Sequence, residues 1–371
     1  MMQDDVANAE ENPFPGKLFN KPTAAGDAGV DVYDGCKVDY KGSVVTAQLF
    51  LDVLLGNKDA VSGKSADGSD KVLGSTSNDR VFVNFVDHGG AGIVAFPNGP
   101  YLQAEDLVDT LKKMSTNKQY NQLVFYMEAC ESGSMFENLL PTDLNIFVTT
   151  ASNAQESSWG TYCPPQDSVN GKEIGSCLGD LYSVNWMEDS DTQAGLARTL
   201  DQQYTVVQKE TNKSHVQEFG SVGTFDASEP VSDFQAHKKS DMLASSLFSS
   251  SGAMGPSVTN ARDIPLVTAF YKYLRNPDSS SLKGLLSNLE SREKADKLFP
   301  SMVELVKSQS NVVSESRSHA EYFECKKAVY NMIESECGGF DDYSLKYSHD
   351  LIALCENRNT ADILSSVQAA C

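Results

Sequence analysis

Two residues with reactive side chains, a histidine and a cysteine, each follow an apolar run of the sequence. His88 follows the apolar run 81–86, and Cys130 follows a second apolar run, 123–127. Both runs are short and rich in β-branched and aromatic residues, which predicts buried strands that end just before these polar residues. A thiolate is a nucleophile, and a nearby imidazole lowers the pKa of the cysteine or passes its proton to the leaving amine. The pair therefore indicates nucleophilic catalysis by cysteine.

The elements around these residues must bring them together. One helical pattern, 102–114, separates the two predicted strands, and a third apolar run, 144–149, is followed by further helical patterns. Strands that alternate with helices predict a parallel α/β sheet with right-handed crossovers. Reactive side chains of such a sheet collect beyond the carboxyl ends of its strands. If the two strands are neighbours, His88 and Cys130 lie at one edge within side-chain reach.

Gly89 adds a backbone group to this predicted site. A glycine lets the main chain approach a substrate closely, and its N–H together with that of Cys130 is predicted to form an oxyanion hole. A structural interpretation stands beside the catalytic one. A single histidine after a strand is more often a hydrogen-bonded loop residue, and a single cysteine is more often a small buried apolar residue. From these residues alone, the joint placement of His88 and Cys130 gives the catalytic and the structural interpretation about equal weight.

Composition and charge exclude several classes of protein. The 371 residues include 40% hydrophobic and 22% charged residues, which supplies a core and suits about two domains. The net charge of −21 would repel phosphate backbones and anionic lipid, so nucleic acid and membrane are not expected partners. No apolar run approaches the ~18 residues that a bilayer requires. The first residues are acidic, so no secretory signal is predicted in them.

The cysteines point to an oxidising compartment. The eight cysteines contain no CxxC pair and no zinc-finger spacing, so we expect neither a metal nor another cofactor. Four of them lie in the last 47 residues, which suits two disulfides in a small helical domain, and a Cys163–Cys177 bridge would close a short loop. Unpaired buried cysteines are the alternative. Asn212 opens the single N-x-S/T sequon, which favours the secretory interpretation and a glycan at this position.

The chain divides into three predicted regions. Residues 1–225 carry the α/β pattern, residues 226–263 form a linker that includes the Ser/Gly-rich stretch 245–256, and residues 264–371 contain helical patterns only. Predicted helices of this last region cover 266–274, 282–289, 295–307, 320–335, 345–355 and 360–369.

Several blocks resemble the legumain family, the asparaginyl endopeptidases also called vacuolar processing enzymes. Residues 82–96 and 123–134 are similar to the two active-site blocks of the family, and the likeness continues through 149–153, 156–163 and 177–191. The resemblance implies a caspase-like α/β fold and a secreted, acid-activated zymogen of the vacuole or lysosome. It also implies cleavage of peptides and proteins after Asn or, more slowly, Asp, and some members of the family join peptides as well.

The resemblance assigns roles to individual residues. It makes Cys130 the nucleophile and His88 its partner. The other matched positions are Glu128, Ser157 and Asp180, which fall in a polar S1 pocket suited to an Asn carboxamide, and Asp87 and Glu131, which flank the catalytic pair. Solvated charges at strand ends are the alternative interpretation of Glu128 and Asp180.

The helical region resembles the C-terminal prodomain of the family, which acts as an inhibitor. The resemblance implies the bridges Cys325–Cys355 and Cys337–Cys371 and leaves Cys36 without a partner. We expect the basic residues Arg262, Lys272 and Arg275 to face Glu128 and Asp180, and acid to loosen these pairs. Cleavage of the linker would follow, with Asn260 as the leading site.

Residues 2–15 resemble a part of the family that follows its first strands. The family's first strand, first helix and most of its second strand precede the segment matching residues 2–15, and they carry an Asn that assists the catalytic His and an Arg-His pair of the S1 pocket. A catalytically incomplete chain that acts only as a binding or decoy module is therefore one alternative. A transamidase subunit that attaches glycolipid anchors shares the His and Cys blocks, but the four-cysteine tail disfavours it.

Overall fold

The computed structural model describes residues 1–3, 6–24, 27–192, 194, 197–235, 256–312 and 317–371. These residues form two compact units. The first comprises Met1–His88 and Gly92–Ile264, and the second comprises Gly89–Ala91 and Pro265–Cys371. Most of the predicted Ser/Gly-rich linker stretch, residues 245–255, lies outside the described residues.

The strands of the described residues are short, and most of them belong to the first unit. In chain order they are β1 (Met2–Gln3), β2 (Tyr40–Lys41), β3 (Arg80–Val86), β4 (Gly89–Gly90), β5 (Ile93–Val94), β6 (Leu102–Gln103), β7 (Gln122–Glu128), β8 (Ile146–Thr150), β9 (Trp159–Thr161), β10 (Ser168–Val169), β11 (Lys172–Glu173), β12 (Gly179–Asp180), β13 (Gln217–Gly220) and β14 (Val258–Asn260).

The α-helices of the described residues are divided between the two units. In chain order they are α1 (Ala47–Leu54), α2 (Lys58–Val61), α3 (Ala104–Thr116), α4 (Leu181–Ser190), α5 (Leu200–Glu210), α6 (Ser232–Gln235), α7 (Ile264–Arg275), α8 (Ser279–Gln309), α9 (His319–Glu336), α10 (Ser348–Ala353) and α11 (Thr360–Ala370).

A four-stranded sheet, in the order β13-β8-β7-β3, is the frame of the first unit. Strands β3, β7 and β8 are parallel, and β13 pairs antiparallel with β8. The predicted α/β class and the predicted neighbourhood of β3 and β7 are therefore confirmed. Strand β13 was not predicted, because its sequence Gln-Glu-Phe-Gly lacks the apolar run that marks a buried strand.

Both faces of the sheet are covered at its inner strands β7 and β8, whereas β3 is buried mainly on one face. Alternate residues of β7 point to opposite faces, so Phe125 joins one apolar cluster and Tyr126 joins the other. Helix α3 contributes Leu107 and Leu111 to the first cluster, and α5 contributes Val207 to the second. Burial on both faces explains why β7 is an uninterrupted apolar run.

A smaller antiparallel sheet, in the order β12-β9-β14, contains Asp180 at the end of β12. A disulfide joins Cys163 to Cys177, just beyond the paired strands β9 and β12. This bond is the one that the spacing suggested, and it fixes the loop between the two strands.

The second unit contains the helices α7 to α11. Its core includes Phe299, Met302, Val306, Val329, Ile333, Leu351, Ile363 and Val367. Disulfides join Cys325 to Cys355 and Cys337 to Cys371, the pairs that the resemblance implied. None of the helices described by the structure is long and apolar enough to cross a membrane.

Helix α8 corrects one prediction. The sequence indicated separate helices at 282–289 and 295–307, but the chain forms a single helix from Ser279 to Gln309. The intervening residues 290–294 are charged and polar, yet Glu, Arg and Lys are good helix formers and neither Gly nor Pro interrupts them. Asp278 begins the helix with a capping box to Ser281.

Candidate active site

His88 and Cys130 occupy equivalent places after two paired strands. In the parallel register of β3 and β7, Val86 faces Glu128, so His88 and Cys130 each follow two residues after a paired residue. The alignment continues past the strands, because the Asp87 N–H donates to the Glu128 carbonyl over 3.2 Å. The sheet therefore delivers the imidazole and the thiol to one edge, as the strand order requires.

Cys130 lies in a tightly held turn. Glu131 adopts a left-handed conformation, with φ of 49°, and its N–H donates to the Glu156 carbonyl over 2.7 Å. The Ser158 N–H donates to the Cys130 sulfur over 3.4 Å, and the Ser158 hydroxyl lies 3.6 Å from the same atom. Cys130 is only 2% exposed.

The surroundings of Cys130 hold it in the neutral form. Burial raises the pKa of the thiol above its ordinary value, and the charge of Glu131 raises it further. The Arg262 guanidinium and the hydrogen bonds from Ser158 act in the opposite direction but do not overcome burial. The thiol is therefore protonated in this environment, and nucleophilic attack by its sulfur would require that the proton pass to a base.

Glu131 and Arg262 form a buried ion pair beside Cys130. An Arg262 Nη atom donates to Glu131 Oε2 over 2.5 Å, and both side chains are almost fully buried. Burial raises the pKa of Glu131 to about 7, although Arg262 lowers it. For Arg262, the prediction that it faces Glu128 and Asp180 was wrong, because its ion pair is with Glu131. The same prediction for Lys272 and Arg275 stays a prediction.

The pairing of β14 with β9 explains where Arg262 arrives. The two strands are antiparallel, with Thr259 opposite Gly160, and the Ala261 N–H then donates to the Ser158 carbonyl over 3.0 Å. The chain is thereby led to the residue that holds the sulfur of Cys130. Arg262, one position further along, pairs with Glu131 and not with Glu128 or Asp180.

Asn260 is the last residue of β14, and its side chain is engaged. Its Oδ1 atom accepts the Arg262 N–H over 3.0 Å and so begins the short helical turn Ala261–Asp263. The peptide bond between Asn260 and Ala261 therefore lies at the end of β14, beside Ser158, the residue whose N–H contacts the Cys130 sulfur. The side chain of the predicted cleavage residue is held by its own turn.

Glu128 is a buried acid with half of its carboxylate satisfied. Its Oε2 atom accepts the N–H and the hydroxyl of Ser183, each over 2.8 Å, in the first turn of α4. Its Oε1 atom has no hydrogen-bond partner among the described residues. Burial and the charge of Asp180 raise the pKa of Glu128 well above its ordinary value.

Asp180 interacts electrostatically with both Glu128 and His88. It precedes α4 and pairs with Gly160 between β12 and β9. Burial raises the pKa of Asp180 to about 6, and the charge of His88 lowers it. Glu128, Asp180 and His88 therefore interact electrostatically, which indicates a polar pocket beside the catalytic pair.

The remaining predicted residues lie at the margin of the site. The carboxylate of Asp87 accepts the His88 N–H over 2.7 Å, so it shapes the turn that presents the imidazole. Ser157 is half-buried and precedes Ser158, the serine that contacts Cys130. Gly89 groups with the second unit, and its part in an oxyanion hole stays a prediction.

Sequence reasoning missed several serines of the site. Ser158, Ser183, Ser132 and Ser152 hold Cys130, Glu128 or the turn between them. Ser132, Ser152, Ser158 and Ser183 all lie within the sequence blocks quoted above, but serine is common in loops and its type alone assigns no role.

A thiol and an imidazole at the ends of neighbouring parallel strands, on a sheet covered by helices on both faces, define a cysteine peptidase. The model of the peptidase C13 family matches residues 1–237. The chain therefore belongs to the peptidase C13 family, and it is a cysteine endopeptidase of the legumain type, as the sequence blocks predicted.

The alignments with curated relatives cover both units of the chain. A vacuolar-processing enzyme of Vicia sativa is 38% identical over 377 residues, which cover 95% of this chain and 74% of the relative. The vacuolar-processing enzyme beta-isozyme of Arabidopsis thaliana is 38% identical and covers 100% of this chain and 77% of its own length. The delta-isozyme of the same plant is 36% identical, with 100% and 81% covered.

Proposed function

We propose that the chain hydrolyses peptide bonds after Asn, with Cys130 as nucleophile and His88 as general base and acid. His88 takes the thiol proton, and the sulfur of Cys130 attacks the substrate carbonyl carbon to form a tetrahedral adduct. The C–N bond then breaks, and His88 gives the proton to the leaving amine. Water, deprotonated by His88, hydrolyses the remaining thioester and regenerates the thiol.

The observation that supports this proposal most is the shared register of His88 and Cys130 after β3 and β7. The positions of the imidazole and the thiol are set by the pairing of the two strands. The raised pKa of the buried Cys130 thiol suits a general-base mechanism, because the proton must be removed when the substrate is present.

Glu128 and Asp180 support the preference for Asn. The unpartnered Oε1 of Glu128 requires a hydrogen-bonding partner, and an Asn carboxamide suits either protonation state of this acid, because it offers two hydrogens and one acceptor oxygen. An ionised Asp side chain would be repelled by these acids, whereas a protonated Asp is similar in shape to Asn. Slower cleavage after Asp, confined to acidic pH, follows from the same pocket.

We also propose that residues 1–225 are the peptidase domain, that 226–263 form an activation segment and that 264–371 are a prodomain that inhibits the enzyme. Strand β14 and the Glu131–Arg262 pair occupy the surroundings of the nucleophile, which supports a resting zymogen. Cleavage at Asn260 first requires release of its side chain from the Arg262 N–H. Peptide joining is expected where an amine, in place of water, reaches the thioester.

The names of the relatives and one surface feature support a vacuolar location reached through the secretory pathway. Asn212 is exposed directly after the end of α5, so its amide is accessible to a glycosyltransferase. The three disulfides described above fit the same oxidising route. Peptides and proteins with exposed Asn or Asp are the proposed substrates.

The test uses the full chain, acid treatment and fluorogenic peptides that differ only in Asn, Asp or Gln at the cleaved position. Cys130→Ala and His88→Ala should abolish cleavage of the Asn peptide. Cys36→Ala is the matched control, because Cys36 is an exposed free thiol and its removal should leave activity unchanged. Activity that survives in Cys130→Ala, or equal cleavage of the Gln peptide, would refute the proposal.

A further inference from the structure

Ser132 and Ser152 form a buried hydrogen-bonded clasp across the nucleophile turn. The two hydroxyl oxygens lie 3.1 Å apart, and both residues are 0% exposed. The Ser132 N–H donates to the Ser152 hydroxyl over 3.2 Å, and the Ser152 N–H donates to the Ser132 hydroxyl, also over 3.2 Å. The clasp thus ties the turn that follows β7 to the segment that follows β8.

One further contact extends the clasp to the residue before the nucleophile. The Ser152 hydroxyl lies 3.0 Å from the Ala129 carbonyl and donates its proton there. The single proton of the Ser132 hydroxyl then has two acceptors on Ser152, the hydroxyl oxygen at 3.1 Å and the carbonyl oxygen at 3.4 Å. One oxygen, Oγ of Ser152, therefore bridges the backbone on both sides of Cys130 and Glu131.

Backbone contacts hold Ser152 itself in place. Its carbonyl accepts the Gly133 N–H over 3.0 Å and the hydroxyl of Thr150 over 2.9 Å. Gly133 lies so close to this segment that an added Cβ would come within 2.9 Å of the Asn153 and Ala154 backbone. The Ser152 hydroxyl therefore cannot shift without moving the turn that carries Cys130.

We infer that Ser152 is a positioning residue for Cys130, which acts through the Ala129 carbonyl and the Ser132 N–H. Glu131 is left-handed, and its carbonyl accepts the Ser134 N–H over 2.8 Å to begin the short helical turn Ser132–Met135, so Cys130 itself lies before that turn and its direction depends on contacts from another element. Ser152 provides them from the end of β8. The inference rests on the proposed role of Cys130 and adds a residue to which the resemblance assigned no role.

The test compares two buried hydroxyl deletions on one stretch of chain. Ser152→Ala removes the bridging oxygen, and we expect kcat for the Asn peptide to fall about 10²-fold with KM nearly unchanged, since a misplaced nucleophile still binds substrate. Thr149→Val is the matched control. The Thr149 hydroxyl is hydrogen-bonded to the Tyr182 hydroxyl, away from the turn, so kcat of this variant should stay near that of the wild-type enzyme.

A second variant grades the effect. In Ser132→Ala, the Ser152 oxygen still connects the Ala129 carbonyl to the Ser132 N–H, so the loss of kcat should be smaller, below about tenfold. The pH profile of kcat/KM distinguishes positioning from stability. It should shift in Ser152→Ala, because the thiol no longer shares its proton with His88 in the same geometry, and it should not shift in Thr149→Val.

The outcomes separate this inference from the proposed function. Wild-type kcat and pH profile in a folded Ser152→Ala, with Cys130→Ala inactive, would overturn the inference alone. Activity in Cys130→Ala would overturn both. If Ser152→Ala does not fold, Ser132→Ala decides: an unchanged kcat and pH profile in that variant would contradict the inference, and a lowered kcat with retained KM would support it.

Discussion

Arg262 and Glu131 meet in a buried ion pair one residue beyond the candidate nucleophile. Arg262 lowers the pKa of Glu131, so the pair is reciprocal, and protonation of Glu131 weakens the hold on Arg262. Arg262 also lowers the pKa of the Cys130 thiol. A single guanidinium thus connects the activation segment, the acid and the nucleophile.

Arg262→Ala should therefore loosen β14 and raise the pKa of Cys130 further. Loss of one partner of a buried ion pair costs about 3 kcal/mol, so amide exchange in Val258–Asn260 should accelerate by about 10²-fold at neutral pH. Hydrogen-exchange mass spectrometry on the Cys130→Ala background measures this without autolysis. Arg198→Ala, which breaks the pair with Asp189, is the control and should leave β14 protected.

Stability should increase when the pH falls from neutral to about 5. Burial raises the pKa of Asp180 from 3.8 to about 6 and that of Glu131 from 4.5 to about 7, so the folded chain binds more protons than the unfolded chain between these values. The stability from each group is complete below its unfolded pKa and is lost as the pH rises through its folded pKa.

Thermal unfolding of the Cys130→Ala chain across pH 4 to 8 checks this sign. Asp180→Asn should flatten the part of the slope that centres near pH 5 to 6. The control is Asp79→Asn, because hydrogen bonds from Thr76 lower the pKa of Asp79 and its contribution has the opposite sign. A Tm that rises steadily with pH through this window would contradict the prediction.

Glu128→Gln should change the preferred substrate. The two donors of Ser183 hold the oxygen of the new side chain, so its NH2 group replaces Oε1 and faces the pocket. A substrate carboxamide would then meet a fixed donor instead of a carboxyl oxygen that can also accept. We expect kcat/KM for the Asn peptide to fall about 10–10²-fold and the Asp peptide to gain relative to it. Glu218→Gln is the control, and an unchanged Asn/Asp ratio in Glu128→Gln would remove Glu128 from the pocket.

Local patterns in the sequence were sufficient for the frame of the site. The run that became β7 is apolar because that strand is buried on both faces, whereas in β3 only alternate residues are buried. The polar residues after the two runs mark His88 and Cys130. Strand β13 escaped notice because it is a half-buried edge strand with a mixed sequence.

Contacts between distant segments could not be predicted in the same way. The partner of Arg262 depends on the register of β14 against β9, which places residues about 100 positions apart side by side. A shift by one residue would have directed Arg262 elsewhere. The clasp of Ser132 and Ser152 likewise depends on two turns that meet only after β7 and β8 have paired.

Two glycines that both have positive φ should differ strongly in their tolerance of alanine. A Cβ on Gly220 would lie 2.2 Å from the Ile146 carbonyl oxygen, whereas Gly223 has open space around it. We expect Gly223→Ala to cost only about 1 kcal/mol of backbone strain. Gly220→Ala should cost several times more, because β13 must move away from β8. Urea unfolding of both variants measures the difference, and equal losses would contradict it.

The Cys163–Cys177 bond has a consequence for how this protein is handled. It closes the loop between β9 and β12, and β12 carries Asp180. A reducing agent that keeps Cys130 as a free thiol also acts on this bond, and its opening releases the strand pairing that sets Asp180 beside Gly160. With the proposed roles of Cys130 and Asp180, the nucleophile and the pocket have opposite redox requirements, and we expect the apparent Asn preference to depend on the strength of the reductant in the assay.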